Sequence, residues 1–315
     1  MTALREIAGH LPDHRVPLEE LLAGWQLPAS TVDTLRRSYG YSEVRRQKPG
    51  ETLTDLLVQA AHNLPSLAGN LSRVRYVLYA RTVPVSQPHP YNPLPDVCEQ
   101  LGLGDATAFA VTHHGCAAGL LAVDMAGRLL AMDADTGGDR DALALIVAAE
   151  QVFTLDETLR PEARIFGEAS AACLVAADGP RDRVLSYATL QRGDLDHWAT
   201  DRPDHAERFA KEYTVLVAEV ISTAAERAGL RVDELALILP HNVNVRSWRK
   251  VCRQLGLPPT SVLLDNVPLF GHTFAADPFL NYRTAVDSGL LRAGDRYLMA
   301  SAAYGAIFSA MVLEH

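Results

Sequence analysis

The stretch AFAVTHHGCAAGLLAVDMAGRLLA, Ala108 to Ala131, decides how the chain is read. It opens as an apolar strand, breaks at His113-His114-Gly115, sets a single cysteine, Cys116, at the break, and resumes as small residues with helical spacing. Strand, tight turn and helix in succession are the unit of an α/β fold, and such folds place their sites at the carboxyl ends of buried strands. Gly115 permits a tight entry, and Ala117, Ala118 and Gly119 let the helix approach its neighbours closely. A thiol at a helix start meets unpaired N–H groups and the positive end of the helix dipole, an environment that favours thiolates. The alternative for this segment alone is a buried cysteine serving as a small hydrophobe.

Working outward, strand-like runs at Val74–Ala80, Ala108–Thr112, Leu143–Glu150 and Ser170–Ala177 alternate with helical patterns. After Asp178-Gly179-Pro180 the rhythm restarts, with strands expected over Arg183–Gln191, Glu234–Pro240 and Asp295–Ala303 and a long amphipathic helix over Arg208–Gly229. Near-continuous apolar strands imply sheets covered on both faces. The chain therefore divides into two α/β halves, residues 1–177 with Cys116 and 178–315 with two notable histidines. In the second half, strand Glu234–Pro240 leads to His241 and the helix NVRSWRKVCRQLG, which reads as the counterpart of the strand, Cys116 and helix of the first.

Composition excludes several classes. With 315 residues and 48% hydrophobic content the chain can fill a large core. A net charge of -9 argues against a nucleic-acid-coating protein, which needs dense Lys and Arg. Four scattered cysteines, Cys98, Cys116, Cys173 and Cys252, have neither disulfide-framework nor zinc spacing. Adjacent His113 and His114 point in different directions with no carboxylate at a useful spacing, so no metal is expected. Neither a signal-peptide core nor an apolar run of the ~18 residues that crosses a bilayer is visible, which gives a cytoplasmic expectation without membrane.

A nucleophilic cysteine needs a base or hydrogen-bond donor from elsewhere in the fold. PHNVN sets His241 after a buried strand with Asn244 three residues on, and FGHTFAADPF sets His272 in a glycine-entered turn before another apolar helix. Asp277 reads as a cap for that helix, with orientation or replacement of a base as the alternative.

These segments carry a resemblance. GCAAGL, FGEASAACLVAA, PHNVNVR, GHTFAAD and YGAIFSAMVLE, in this order and spacing, resemble the β-ketoacyl-acyl carrier protein synthase III family of the thiolase superfamily. The likeness runs nearly end to end, through IAGHLPDHRVPLEELL and YGYSEVRR (Tyr39 to Arg46). It implies a homodimeric thiolase fold in α-β-α-β-α layers. Cys116 matches the acyl-accepting nucleophile, and His241 the first of two groups that bind the second thioester's oxygen. The backbone N–H groups of Cys116 and Gly305 match the oxyanion hole, worth on the order of 3 kcal/mol of barrier per donor. Phe166-Gly167 matches the family's Phe-Gly strand start, and Asn244, Phe274 and Tyr304 are expected to bind substrate.

The departure is His272, where the family pattern has asparagine. Both side chains donate a hydrogen bond to a developing enolate, and a Cys-His-His set resembles the elongating ketosynthases, but histidine also takes a proton and so could activate an alcohol, amine or thiol. The glycine-rich ending is thinned to Ala302-Ala303-Tyr304-Gly305-Ala306, where Tyr304 could reshape the acyl pocket or pack in the dimer core. Arg246, Arg249, Lys250 and Arg253 form one basic helix face, and Arg246 matches a family arginine that docks acidic carrier proteins. Arg36, Arg37, Arg45 and Arg46 are expected to face the phosphates of coenzyme A or pantetheine. The substrate would be an acyl-coenzyme A or acyl-carrier-protein thioester, with no cofactor. The expected reaction is acyl loading on Cys116 and decarboxylative Claisen condensation with a malonyl-type thioester, in specialised metabolism. Transfer to an O, N or S acceptor comes second, and a non-catalytic carrier-protein-binding subunit is the alternative of another class.

Overall fold

The computed structural model describes residues 1–23, 27–83, 91–152, 159–160, 164–196 and 203–315. Among them, β1 (Ala3–His10), β4 (Val74–Ala80), β5 (Thr107–Val111), β6 (Leu143–Ala149) and β7 (Ser170–Ala176) build the sheet of the first half. A short hairpin, β2 (His14–Pro17) with β3 (Glu43–Arg46), packs beside it. The second half contributes β8 (Arg183–Gln191), β9 (Leu237–Pro240), β10 (Arg296–Ala303) and β11 (Ile307–Glu314). The ladder runs β9-β10-β11-β8-β1-β7-β6-β4-β5, and within it the two halves join where β1 meets β8, with Ala3 opposite Arg183. Expected strands lie within three residues of those observed, and Arg183–Gln191 coincides.

Strand side chains alternate between two faces, and here both faces are apolar. Along β6, Ala144, Ile146 and Ala148 face the molecular centre, while Leu143, Leu145 and Val147 face α1 (Leu53–His62) and α2 (Leu94–Leu101) outside. Along β10, Tyr297 and Met299 face the centre, while Leu298 and Ala300 face α4 (Pro203–Arg227) and α5 (Val245–Leu255). The centre is filled by α3 (Ala118–Asp135) and α6 (Asp277–Asp287). Five layers result, helix-sheet-helix-sheet-helix. Helix Gly115–Asp135 is long and apolar enough to cross a membrane, but 61% of that window is buried between the sheets. Small residues fit it there: a Cβ on Gly119 would lie 2.7 Å from the Phe279 ring and 2.8 Å from the Ala275 carbonyl oxygen.

The strand order corrects the pairing expected between the halves. In sequence from the seam, the first half reads β1-β7-β6-β4-β5 and the second β8-β11-β10-β9, with Val262 bridging in parallel to Ile238 as a rudimentary outer strand. Strand β9 therefore matches β4, not β5. The counterpart of the Cys116 turn is the His272 turn: each leaves the outer strand, makes a 3-10 turn (Gly115–Ala117 or Phe274–Ala276) and enters a central helix. Both strands had looked alike in sequence because each ends at a reactive side chain before a helix.

Candidate active site

Cys116 lies in the turn between β5 and α3, 4% exposed, against Ala117, Ala303 and Ile307. The turn presses on the other half of the molecule. Gly115 has φ +53°, and a Cβ there would fall 2.6 Å from the Ala303 Cβ, so both conformation and space call for glycine. Ser301 Oγ donates to the Cys116 carbonyl oxygen at 2.8 Å, tying the turn to β10. This brings Cys116 beside the Ala303–Gly305 corner, where Gly305 adopts φ +77°.

His272 reaches Cys116 from the opposite half, with Nε2 3.1 Å from Sγ. Its backbone is fixed by a bridge to Phe166: His272 N–H donates to the Ile165 carbonyl at 2.9 Å, and Gly167 N–H donates to the His272 carbonyl at 3.0 Å. Gly167 is needed because a Cβ would lie 1.9 Å from the Phe270 carbonyl oxygen. The ring stacks against Phe166 and Phe274. His272 Nδ1 is held by Asp277 Oδ2, which also accepts from Asn242 N–H at 2.6 Å. Asp277 Oδ1 accepts from Thr273 N–H at 2.7 Å and from its hydroxyl. The carboxylate thus orients His272 and gives α6 no side-chain cap, which corrects the helix-cap reading of Asp277. Burial works to lower the pKa of His272, but Cys116 and Asp277 outweigh it and push the value up to about 9.

His241, at the end of β9, is held neutral. Burial and the neighbouring cations His272 and Arg164 move its pKa well below the ordinary value. Its ring lies 5.8 Å from that of His272. Tyr213 of α4 hydrogen-bonds His241 Nε2 at 2.6 Å, and Nδ1 has no partner among the described residues. Two adjacent imidazoles are thereby driven in opposite directions, an arrangement that separates a proton carrier from a neutral donor.

A cavity of about 280 Å³ borders this centre at His241 and is also lined by Tyr213, Arg164, Ala303 and Tyr304, while Cys116 and His272 lie just behind that lining. Arg246 and Lys250 of α5 also line it, so half of the expected basic face borders the cavity. Arg249 and Arg253 are exposed on the same helix but do not line it.

The comparisons fit this geometry. Residues 225–315 match the family described as 3-oxoacyl-[acyl-carrier-protein (ACP)] synthase III C terminal. The chain is 27% identical to the β-ketoacyl-[acyl-carrier-protein] synthase III of Ruegeria sp., over 98% of this chain and 97% of that one. The crystal structure of 3-oxoacyl-[acyl-carrier-protein] synthase III from Aquifex aeolicus superposes over 100% of both chains, with TM-score 0.83 and 23% identity. ChlB3, an acyltransferase, superposes with TM-score 0.84 and 19% identity, over 99% of this chain and 97% of that one. The chain resembles the synthase III family over nearly its whole length. This synthase III relative has the thiolase fold and is an acyl-transferring enzyme.

Other expected residues of the synthase III relative fall in different places. Asn244 is buried and caps α5, its Oδ1 accepting from Ser247 N–H at 2.7 Å; it does not line the cavity, which corrects its reading as a substrate contact. Phe274 stacks on Phe166 at 4.5 Å between ring centres and supports the His272 ring. Arg45 and Arg46 turn inward, donating to the carbonyls of Pro12 and Phe166, so they do not face phosphates. Arg36 and Arg37 pair with Glu19 and Asp33 on the surface and do not line the cavity. His113 is exposed while His114 contacts Ser309, so the adjacent pair diverges. Sequence reasoning missed Tyr213 and Arg164. Tyr213 sits in a long helix without a local motif, whereas an arginine two residues before Phe166-Gly167 in an apolar run was a usable signal.

Proposed function

We propose that the protein takes an acyl group from a coenzyme A or carrier-protein thioester onto Cys116 and passes it to an oxygen, nitrogen or sulfur acceptor. The single observation that carries this reading is the line Asp277, His272, Cys116, in which a carboxylate-oriented imidazole touches the sulfur. In the first step the proton shared by Cys116 and His272 rests on Nε2, in keeping with the raised pKa of that ring, as Sγ attacks the thioester carbonyl. The tetrahedral oxyanion would be met by the N–H groups of Cys116 and Gly305, and its collapse expels the substrate thiol, which recovers the proton from His272. In the second step His272 removes the acceptor's proton as its heteroatom attacks the acyl-Cys carbonyl. Cys116 then leaves and regains that proton, so the cycle closes. No group beyond the protein, the thioester and the acceptor enters these steps.

Sequence alone put decarboxylative condensation first. Condensation needs hydrogen-bond donors on an enolate oxygen, which His272 can also supply, but an imidazole buttressed by Asp277 can in addition deprotonate an O–H or N–H once the acyl group is on Cys116, and this supports transfer. The fold is shared with proteins named as a synthase III and as an acyltransferase, so it is compatible with both, and the site chemistry supports transfer. Condensation stays as the second reading because His241, held neutral, has the protonation state that an enolate donor needs. Arg246 and Lys250 at the cavity are suited to an acidic carrier or coenzyme phosphates, and we place the enzyme as a cytoplasmic homodimer in specialised metabolism. The test is intact-protein mass after incubation with acetyl-coenzyme A, followed by addition of an alcohol or amine, or of malonyl-coenzyme A. An adduct lost in Cys116→Ala and discharged by the alcohol or amine without carbon dioxide is expected. Carbon dioxide release with chain extension would restore condensation, and no adduct would leave a carrier-binding subunit.

A further inference from the structure

Arg164, on a two-residue strand just before Phe166, is a cation set deep in the cavity beside the reacting groups. Its guanidinium lies over the Tyr304 ring at 4.5 Å and over the Phe166 ring at 5.4 Å. Tyr304 also hydrogen-bonds it, and its field reaches both Cys116 and His241. No carboxylate among the described residues forms an ion pair with it, and its buried Nε has no partner among them. Two other deep charges are matched: Asp277 is paired with His272, and Asp182 with Tyr282, Tyr297 and His315.

A part-buried guanidinium held, among the described residues, by two aromatic faces and a phenol presents donors in a rigid fork, the geometry that carboxylates fit. The other charges lining the cavity, Arg246 and Lys250, are also positive, and among the described residues no acidic side chain lines it. The two exposed cations lie on α5 and suit the phosphates of a large carrier. Arg164 lines the same cavity together with His241, and its field reaches Cys116, so it faces the reacting part of a substrate.

We propose that Arg164 binds a carboxylate on one of the two substrates, either on the acyl group as a dicarboxylic monothioester or on the acceptor. The proposal rests on the reading of Cys116 as the acyl acceptor and adds the substrate class. Pairing with the guanidinium stabilises a carboxylate in its anionic form and so opposes its loss as carbon dioxide, which agrees with transfer rather than decarboxylation.

Two arms distinguish the sources. In the first, Cys116 loading from succinyl-coenzyme A is compared with loading from butyryl-coenzyme A by intact mass. In the second, discharge of the acetyl-enzyme by glycolate is compared with discharge by glycolamide. A preference of roughly tenfold or more for the carboxylate is expected in one arm, collapsing in Arg164→Gln and partly recovered in Arg164→Lys, with the rate ratio within each protein as the readout. Thermal unfolding checks that each variant is folded, and Arg164→Lys serves if Arg164→Gln is not. A ratio near one in both arms, or a preference that survives both substitutions, overturns the proposal. Loading by butyryl-coenzyme A without any carboxylate preference would fault this inference alone, whereas no loading by either thioester would fault the reading of Cys116 and this inference with it.

Discussion

Replacing Asp277 by asparagine tests the line from carboxylate to sulfur most directly. The carboxylate is fully buried and sits on His272 Nδ1, so its charge acts on the imidazolium that forms as Cys116 loses its proton. Two unit charges about 4 Å apart at an effective dielectric near 20 interact by about 4 kcal/mol, which corresponds to about a thousandfold in rate. The carboxamide of Asp277→Asn keeps the shape but turns an N–H₂ toward donors from Asn242 or Thr273, and a clash of that kind costs about 1–3 kcal/mol of stability. The assay is the rate of acyl loading from acetyl-coenzyme A, read by intact mass, with urea unfolding in parallel. A fall of about 10²–10³ is expected in a protein that remains folded. In a His272→Asn background the same change is expected to add less than about tenfold, because Asp277 acts through the imidazole. Loading within threefold of the parent, or an equal loss in both backgrounds, would refute this role.

Titration of the His272 ring by NMR is expected to give a value near 9, and Cys116→Ala to lower it, since the sulfur is the largest influence raising it. Gly167→Ala places a Cβ against the Phe270 carbonyl and should cost about 1–3 kcal/mol or more in urea unfolding, together with loading, because Gly167 N–H fixes the His272 backbone. Arg246→Glu with Lys250→Glu should slow loading from acyl-carrier protein by about tenfold at low salt, and the difference should shrink as the ionic strength rises.

The strand and helix pattern was legible because both sheets are covered on both faces, so their strands read as unbroken apolar runs. Cys116 and His272 were legible for a related reason: each stands in a glycine-entered turn at the start of a small or apolar helix. Strand order was not, since pairing across the sheet leaves no trace in local spacing, and so β9 was matched to the wrong strand. Asn244 directly before a helix could have been read as its cap, and the expected substrate role set that aside. Arg45 and Arg46 were misread because sequence shows a charge but not the direction it points. Arg46 turns back to the Phe166 carbonyl from a neighbouring hairpin. Asp277 was noticed with both roles in view, and only the distance to His272 Nδ1 decides between them.

The nucleophile is mounted on one central helix and its base on the other, with Gly119 and Phe279 touching where the two lie together. Slippage along that seam would separate sulfur from imidazole while both sheets kept their hydrogen bonds. Heating should therefore silence the enzyme some degrees before circular dichroism records any melting, and a larger residue at position 119 should widen that gap.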